Sequence, residues 1–188
     1  MQELEGNEAN VHRNLVEIAR QSLEAILQDK PIPDFQIKEP ELLHRHGVFV
    51  TLKSRGLLRG CMGRFVSNMP LYQLVIEMAV SAALEDPRFR TDRLRLQELR
   101  DLDIEVTVVS PLKRITSPLA FELGKHGIYI KRGSCSGCFL PQVAQETGWS
   151  KEEFLTQCCM GKAGLTPNAW KEPDTEVYVF EVDVVNRR

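Results

Sequence analysis

The chain has 188 residues, 43% of them hydrophobic and 27% charged, with a formal net charge of −2. That is the composition of an ordinary globular protein, long enough for one domain or for a large domain with a small subdomain. It excludes a chain-wide basic field for nucleic acid or an anionic membrane, and no run approaches the roughly 18 apolar residues of a membrane span.

The first residues are acidic and polar and lack the basic and apolar regions of a signal peptide. A cytoplasmic protein is therefore expected, with its five cysteines reduced. Residues 1–9 read as a disordered tail. Asn10 can cap a helix over residues 11–28, where Val11, Leu15, Ile18, Ala19, Ser22, Ile26 and Leu27 repeat at helical spacing. Pro31, Pro33 and Pro40 then force an extended connector.

Residues 47–53 (Gly-Val-Phe-Val-Thr-Leu-Lys) read as a strand. Ser54-Arg55-Gly56 reads as a tight turn, and residues 57–61 as the antiparallel return. Asn68 and Pro70 predict the start of a helix whose small apolar face runs from Leu71 to Ala83. A short charged helix is expected over 94–99, and a half-buried alternating strand over 102–109. Ser117-Pro118 predicts a short helix to Gly124, followed by a strand over 126–131, a loop over 132–139 and a helix over 141–147. Ser150 and Glu153 form a capping box for the next helix, predicted to stop near Gly161. Residues 176–185 alternate as the last strand. Strands and helices intersperse without regular βα units, so the fold class is α+β with a mainly antiparallel sheet.

The stretch with chemistry in it is residues 58–63, Leu-Arg-Gly-Cys-Met-Gly. Gly60 and Gly63 can take positive φ or admit another backbone at close range, and a bend there can form an anion-binding nest. Arg59 and Arg64 can grip a phosphate or carboxylate, and Cys61 is reactive if cations lower its pKa and solvent reaches it. The plainer alternative is a bulged hairpin with a buried thiol. The pattern is neither a dinucleotide fingerprint nor a P-loop.

Asp86-Pro87-Arg88-Phe89 reads as an ion pair and helix stop, or as a device that aims Arg88 at a ligand. His126 is either a structural histidine or a proton-transfer group. Cys135-Ser-Gly-Cys138 is incidental, a metal half-site or a redox pair, and no complete metal-ligand set is apparent. Asp103 and Glu105 share one strand face as a weak carboxylate pair. Arg88, Arg90, Arg93, Arg95 and Arg100 make a local basic run, interrupted by acidic residues.

Several ordered motifs together resemble the AMMECR domain family. They are residues 47–52 (Gly-Val-Phe-Val-Thr-Leu), 58–63, 86–89, 102–111, His126-Gly-Ile128, residues 140–144 (Leu-Pro-Gln-Val-Ala), Gly148-Trp149, and Lys162-Ala-Gly-Leu165 with Trp170. The resemblance covers residues 11–185 as one domain. Met62 stands where the family's hallmark hexad usually has Ile, and the CxxC is not a feature associated with the family.

The resemblance implies a two-lobed α+β fold, with the larger lobe from both chain ends, a smaller helical or mixed lobe from the middle, and a cleft between lobes built on residues 58–63. It implies no settled reaction. Memo-like and radical-SAM proteins are the partners it suggests, in a modification or redox pathway. Cys61 and His126 are then the catalytic candidates. Arg59, Gly60, Gly63 and Arg88 are the ligand-binding candidates, for a small anionic ligand. No cofactor or metal is implied. The alternative is a non-catalytic adaptor for a protein or nucleic-acid partner, and the sequence does not decide between enzyme and binding module.

Overall fold

A computed structural model describes the backbone of residues 2–187 and the side chains of residue 11 and residues 13–185. Among the described residues the chain forms two four-stranded antiparallel sheets with helices, an α+β fold. It divides into two compact units, one of residues 1–109 and 183–188, the other of residues 110–182.

The first unit opens with helix α1 (Gln2–Leu27). Its backbone is helical from Gln2, so the tail expected to be disordered is helical over residues 2–9; residue 1 lies outside the described residues. Leu15, Ala19 and Leu23 are fully buried, or nearly so, on one stripe. Strands β1 (Gly47–Ser54) and β2 (Leu57–Arg64) follow. Arg55 and Gly56 both have positive φ, 51° and 78°, the two-residue turn whose twist suits a hairpin.

Helix α2 (Leu71–Leu84) is capped by Pro70 rather than Asn68. Its first N–H donates instead to the His44 carbonyl at 2.9 Å. Short 3₁₀ turns at Pro87–Phe89 and Leu96–Asp101 lead to strand β3 (Leu102–Val109). The sheet order is β2-β1-β3-β8, with β8 (Val182–Arg187) arriving from the far end of the chain. Val48, Val50 and Leu52 alternate inward on β1, and they pack with Ile104, Val106 and the buried faces of α1 and α2.

The second unit carries strands β4 (Lys113–Ile115), β5 (Gly127–Arg132), β6 (Cys135–Phe139) and β7 (Glu176–Phe180), in the order β4-β7-β5-β6. Residues 117–124 form turns instead of the expected helix; Gly124 has φ 79°. The expected loop at 132–139 is largely β6, returned on β5 by a turn with Gly133 at φ 58°.

Helix α3 (Pro141–Thr147) ends at Gly148, φ 66°, and α4 (Lys151–Cys158) starts on the capping box. Ser150 Oγ accepts from the Glu153 N–H at 3.3 Å and Glu153 Oε2 from the Ser150 N–H at 2.9 Å. A π turn (Cys159–Ala163) carries the helix past Gly161 to Gly164, also at φ 66°. Phe154, Leu155, Cys158 and Trp170 pack with Ile128, Ile130 and Phe139 in a separate core. The last alternating stretch is not one strand, because it breaks at Glu181 between β7 and β8, which belong to different sheets.

Candidate functional site

Strand β2 lies at the edge of its sheet and pairs only with β1 among the described strands. Leu52 faces Gly60 but Lys53 faces Leu58, so Arg59 is the extra residue of a β-bulge. Bulges re-aim side chains at sheet edges. The two glycines are needed here for close approach. Neither is among the glycines with positive φ, so the segment is extended and forms no nest. A Cβ on Gly60 would stand 1.9 Å from the Ala82 carbonyl oxygen of α2, and one on Gly63 would stand 2.2 Å from the Phe49 ring. Gly60 lets α2 lie directly on the strand, and Gly63 gives Phe49 its place beside Phe65, with ring centroids 4.8 Å apart.

Being at the edge, β2 has backbone groups that no strand satisfies, and Asp86 and Arg88 take up those of Cys61. The Cys61 N–H donates to Asp86 Oδ2 at 2.9 Å, and its carbonyl accepts from Arg88 Nη2 at 3.2 Å. Asp86, only 3% exposed, also accepts from the Arg88 N–H (3.0 Å), Nε (3.0 Å) and Nη2 (2.6 Å). The Arg88 hydrogen bonds, helped by the Cys61 and Arg88 N–H groups, hold the Asp86 carboxyl well below the usual carboxylate range against the opposing effect of burial. Asp86 likewise raises the Arg88 pKa. Two motifs with 22 residues between them, residues 58–63 and 86–89, are thus closed by one carboxylate–guanidinium clasp on one peptide.

Arg59 is equally committed. Its Nε donates to Glu98 Oε1 at 2.7 Å and its Nη1 to Asp92 Oδ2 at 3.1 Å. Its guanidinium carbon lies 5.7 Å from the Phe89 ring centroid. Hydrogen bonding to Arg59 lowers the Glu98 pKa, and Glu98 raises that of Arg59. Arg64 pairs with Glu77 of α2.

The Cys61 side chain is half-buried and lies beside Thr51, whose hydroxyl donates to Sγ at 3.4 Å. Thr51 pairs across the sheet with Cys61 on one side and Glu105 on the other. Directly opposed residues share a sheet face, so a row runs Cys61–Thr51–Glu105, with Lys53 Nζ 3.4 Å from Glu105. Asp86 was visible in the sequence as a partner for Arg88. Thr51, Glu98 and Asp92 carried no signal, because only the sheet register and the 3₁₀ turns bring them here.

His126 belongs to the second unit. Its Nδ1 accepts from the Glu122 N–H at 3.0 Å, which places any single ring proton on Nε2, 3.4 Å from Glu181. Cys135 and Cys138 sit three positions apart on β6. They are on opposite faces and roughly 10 Å apart along an extended strand, beyond the reach of a disulfide. Burial raises the thiol of Cys138 to about 11 and those of Cys158 and Cys159 upward as well. No group of three or more potential metal ligands occurs among the described residues.

The chain is a two-unit α+β protein, and the AMMECR1 family model matches its residues 16–185. The chain belongs to the AMMECR1 family, as a prokaryotic member. It is 46% identical over 177 residues to Protein NEQ441 of Nanoarchaeum equitans, covering 89% of this chain and 96% of the relative. It is 40% identical over 178 residues to Protein MK0488 of Methanopyrus kandleri, covering 90% and 85%. The crystal structure of PH0010 from Pyrococcus horikoshii is similar at 37% identity with a TM-score of 0.77, covering 90% of this chain and 88% of that one.

Proposed function

We propose that this chain is a cytoplasmic component of a modification or redox pathway, that residues 58–63 are its working part, and that Memo-like and radical-SAM proteins are its partners. The observation that carries this reading is the clasp on the Cys61 peptide. Asp86 and Arg88 fix both its N–H and its carbonyl, which holds the residue that carries the thiol at one place on the strand. The Thr51 hydroxyl donates to the sulfur at 3.4 Å and fixes where the thiol points. Lys53 and Glu105 form an ion pair on the same face. No helix among the described residues is long and apolar enough to cross a membrane, which is compatible with the location proposed.

The test combines labelling and capture. Cys61 in the folded protein should react with a thiol reagent, and Asp86→Asn should change its rate while the exposed Cys135 reacts unchanged. A Memo-like protein expressed with the chain should co-purify with wild type and less with Cys61→Ser. A Cys61 that reacts only after unfolding removes the nucleophile role.

A second reading, a non-catalytic binding module, is favoured by the arginines. Arg59, Arg64 and Arg88 are each paired within the chain, so an anionic ligand would have to displace a carboxylate. On this reading the segment is a rigid docking face, and Arg59→Ala should weaken capture of the partner protein. Capture equal to wild type would remove it. A nucleic-acid partner draws least support, since Arg88 and Arg95 also face carboxylates of their own chain.

A further inference from the structure

Of the arginine run at residues 88–100, only Arg88 takes part in the Cys61 clasp. The carboxylates that interrupt the run are all in use. Asp86 accepts from Arg88 at 2.6 Å. Asp92 accepts from Arg59 at 3.1 Å and lies 3.8 Å from Arg95. Glu98 accepts from Arg59 at 2.7 Å, and Asp101 from Arg55 at 2.9 Å. Every carboxylate between residues 86 and 101 is thus held by a guanidinium group. Arg90, Arg93 and Arg100 are exposed, and their side chains have no hydrogen bond or ion pair among the described residues. Of the flanking carboxylates, Glu85 accepts from Ser81 at 2.7 Å, and Asp103 and Glu105 lie on β3 opposite Lys53 and Thr51.

The three free arginines root on one rim. The Arg59 side chain, 12% exposed, gathers the segment about itself. Besides Asp92 and Glu98 it reaches the Arg93 carbonyl at 3.4 Å and lies 5.7 Å from the Phe89 ring centroid. Arg90 adjoins Phe89, and Arg100 is two residues from Glu98. At 3.8 Å per residue, each free arginine starts within about 8 Å of a residue that Arg59 touches. Leu94 and Leu99 are 3% and 6% exposed and plug the segment into the first core, and Arg20 donates to the Leu99 carbonyl at 3.1 Å. The rim is fixed while its free cations meet solvent. Leu96, 40% exposed, stands between Arg93 and Arg100 in the chain.

We infer that this rim docks an acidic segment of a partner protein. Carboxylates match the guanidinium fork, and arginine is enriched where proteins meet. Leu96 gives such a partner an apolar contact. Single-stranded nucleic acid is the poorer match, because its bases need open aromatic rings. The one aromatic residue of the segment, Phe89, has the Arg59 and Arg88 guanidinium groups 5.7 and 5.8 Å from its ring centroid. The inference is independent of the role proposed for Cys61.

Fluorescence anisotropy of a fluorescein-labelled hexaglutamate peptide tests it on the full chain at low ionic strength. Wild type should bind saturably, and the affinity should fall as salt rises. Arg90→Gln, Arg93→Gln and Arg100→Gln should each weaken binding about two- to fivefold, the yield of one exposed ion pair, and together more than about tenfold. Their unfolding temperatures should match wild type. Lys38→Gln, Lys113→Gln and Lys131→Gln combined remove the same charge from exposed positions elsewhere and should leave binding unchanged. Labelled hexauridylate should bind more weakly than the peptide. No saturation by hexaglutamate, a folded triple arginine variant that binds like wild type, or equal weakening by the triple lysine variant would each overturn the inference. Tighter binding of hexauridylate would overturn the assignment to an acidic protein.

Discussion

Asp86 accepts four hydrogen bonds while almost wholly buried, so its protonation bears directly on the strand that carries Cys61. Its folded pKa is lowered below the ordinary value of about 3.9. The stabilisation it provides is complete above that unfolded value and is lost as pH falls toward the folded one. Asp86→Ala should cost about 1–3 kcal/mol at pH 7, from the unpaired Cys61 N–H and the broken clasp. The gap between wild type and variant in urea unfolding should narrow from pH 5 downward, and a gap independent of pH would show that Asp86 does not hold the clasp as a carboxylate. Gly60 acts at the same scale through sterics. Gly60→Ala places a methyl on the Ala82 carbonyl and should destabilise by about 1–3 kcal/mol, as overpacking does, lowering Tm by roughly 2–4 °C per kcal/mol in a chain of this size.

At the scale of elements, β2 and β6 show how far the sequence goes. The hairpin of β1 and β2 was legible because Ser54-Arg55-Gly56 and the alternation of Val48, Val50 and Leu52 are local signals. The bulge at Arg59 was not, because it is defined by what faces it on β1. The sequence of β6 reads as a loop because Cys135, Ser136 and Gly137 have little strand propensity. It is held by pairing with β5 and by the π turn, against which a Cβ on Gly137 would come within 2.4 Å of the Ala163 nitrogen.

The cysteines of this region give an ordered prediction. At pH 8, Cys135, exposed, should be labelled first. Cys138, raised to about 11 by burial, should follow slowly. Cys158 and Cys159, both buried, should react only on unfolding. Mass mapping of labelled peptides checks the order, and early labelling of Cys158 would contradict the packing of α4. Ser150→Ala, which removes one arm of the capping box on α4, should cost about 1 kcal/mol.

At the scale of the whole molecule, the described residues form two hydrophobic cores rather than one. Leu74→Ala in the first and Phe154→Ala in the second remove fully buried side chains and should cost about 2–5 and 3–5 kcal/mol. Each loss should appear in hydrogen exchange first in the strands of its own unit, as local cooperativity requires. Equal loss of protection in both sheets from either variant would argue for a single cooperative core.

The sequence by itself determined the class of the fold, most of its helices and strands and the pairing of Asp86 with Arg88, because each rests on periodicity, turn chemistry or short spacing. Only the tertiary structure decided that Gly60 and Gly63 serve close packing rather than an anion nest. It also decided that Arg59, Arg64 and Arg88 are already paired, and that residues 176–185 are divided between two sheets. Those outcomes depend on which distant groups the sheet register and the packing of α2 bring within a few ångströms. For the Cys61 peptide, that register leaves an N–H and a carbonyl at a sheet edge, and Asp86 and Arg88 complete them.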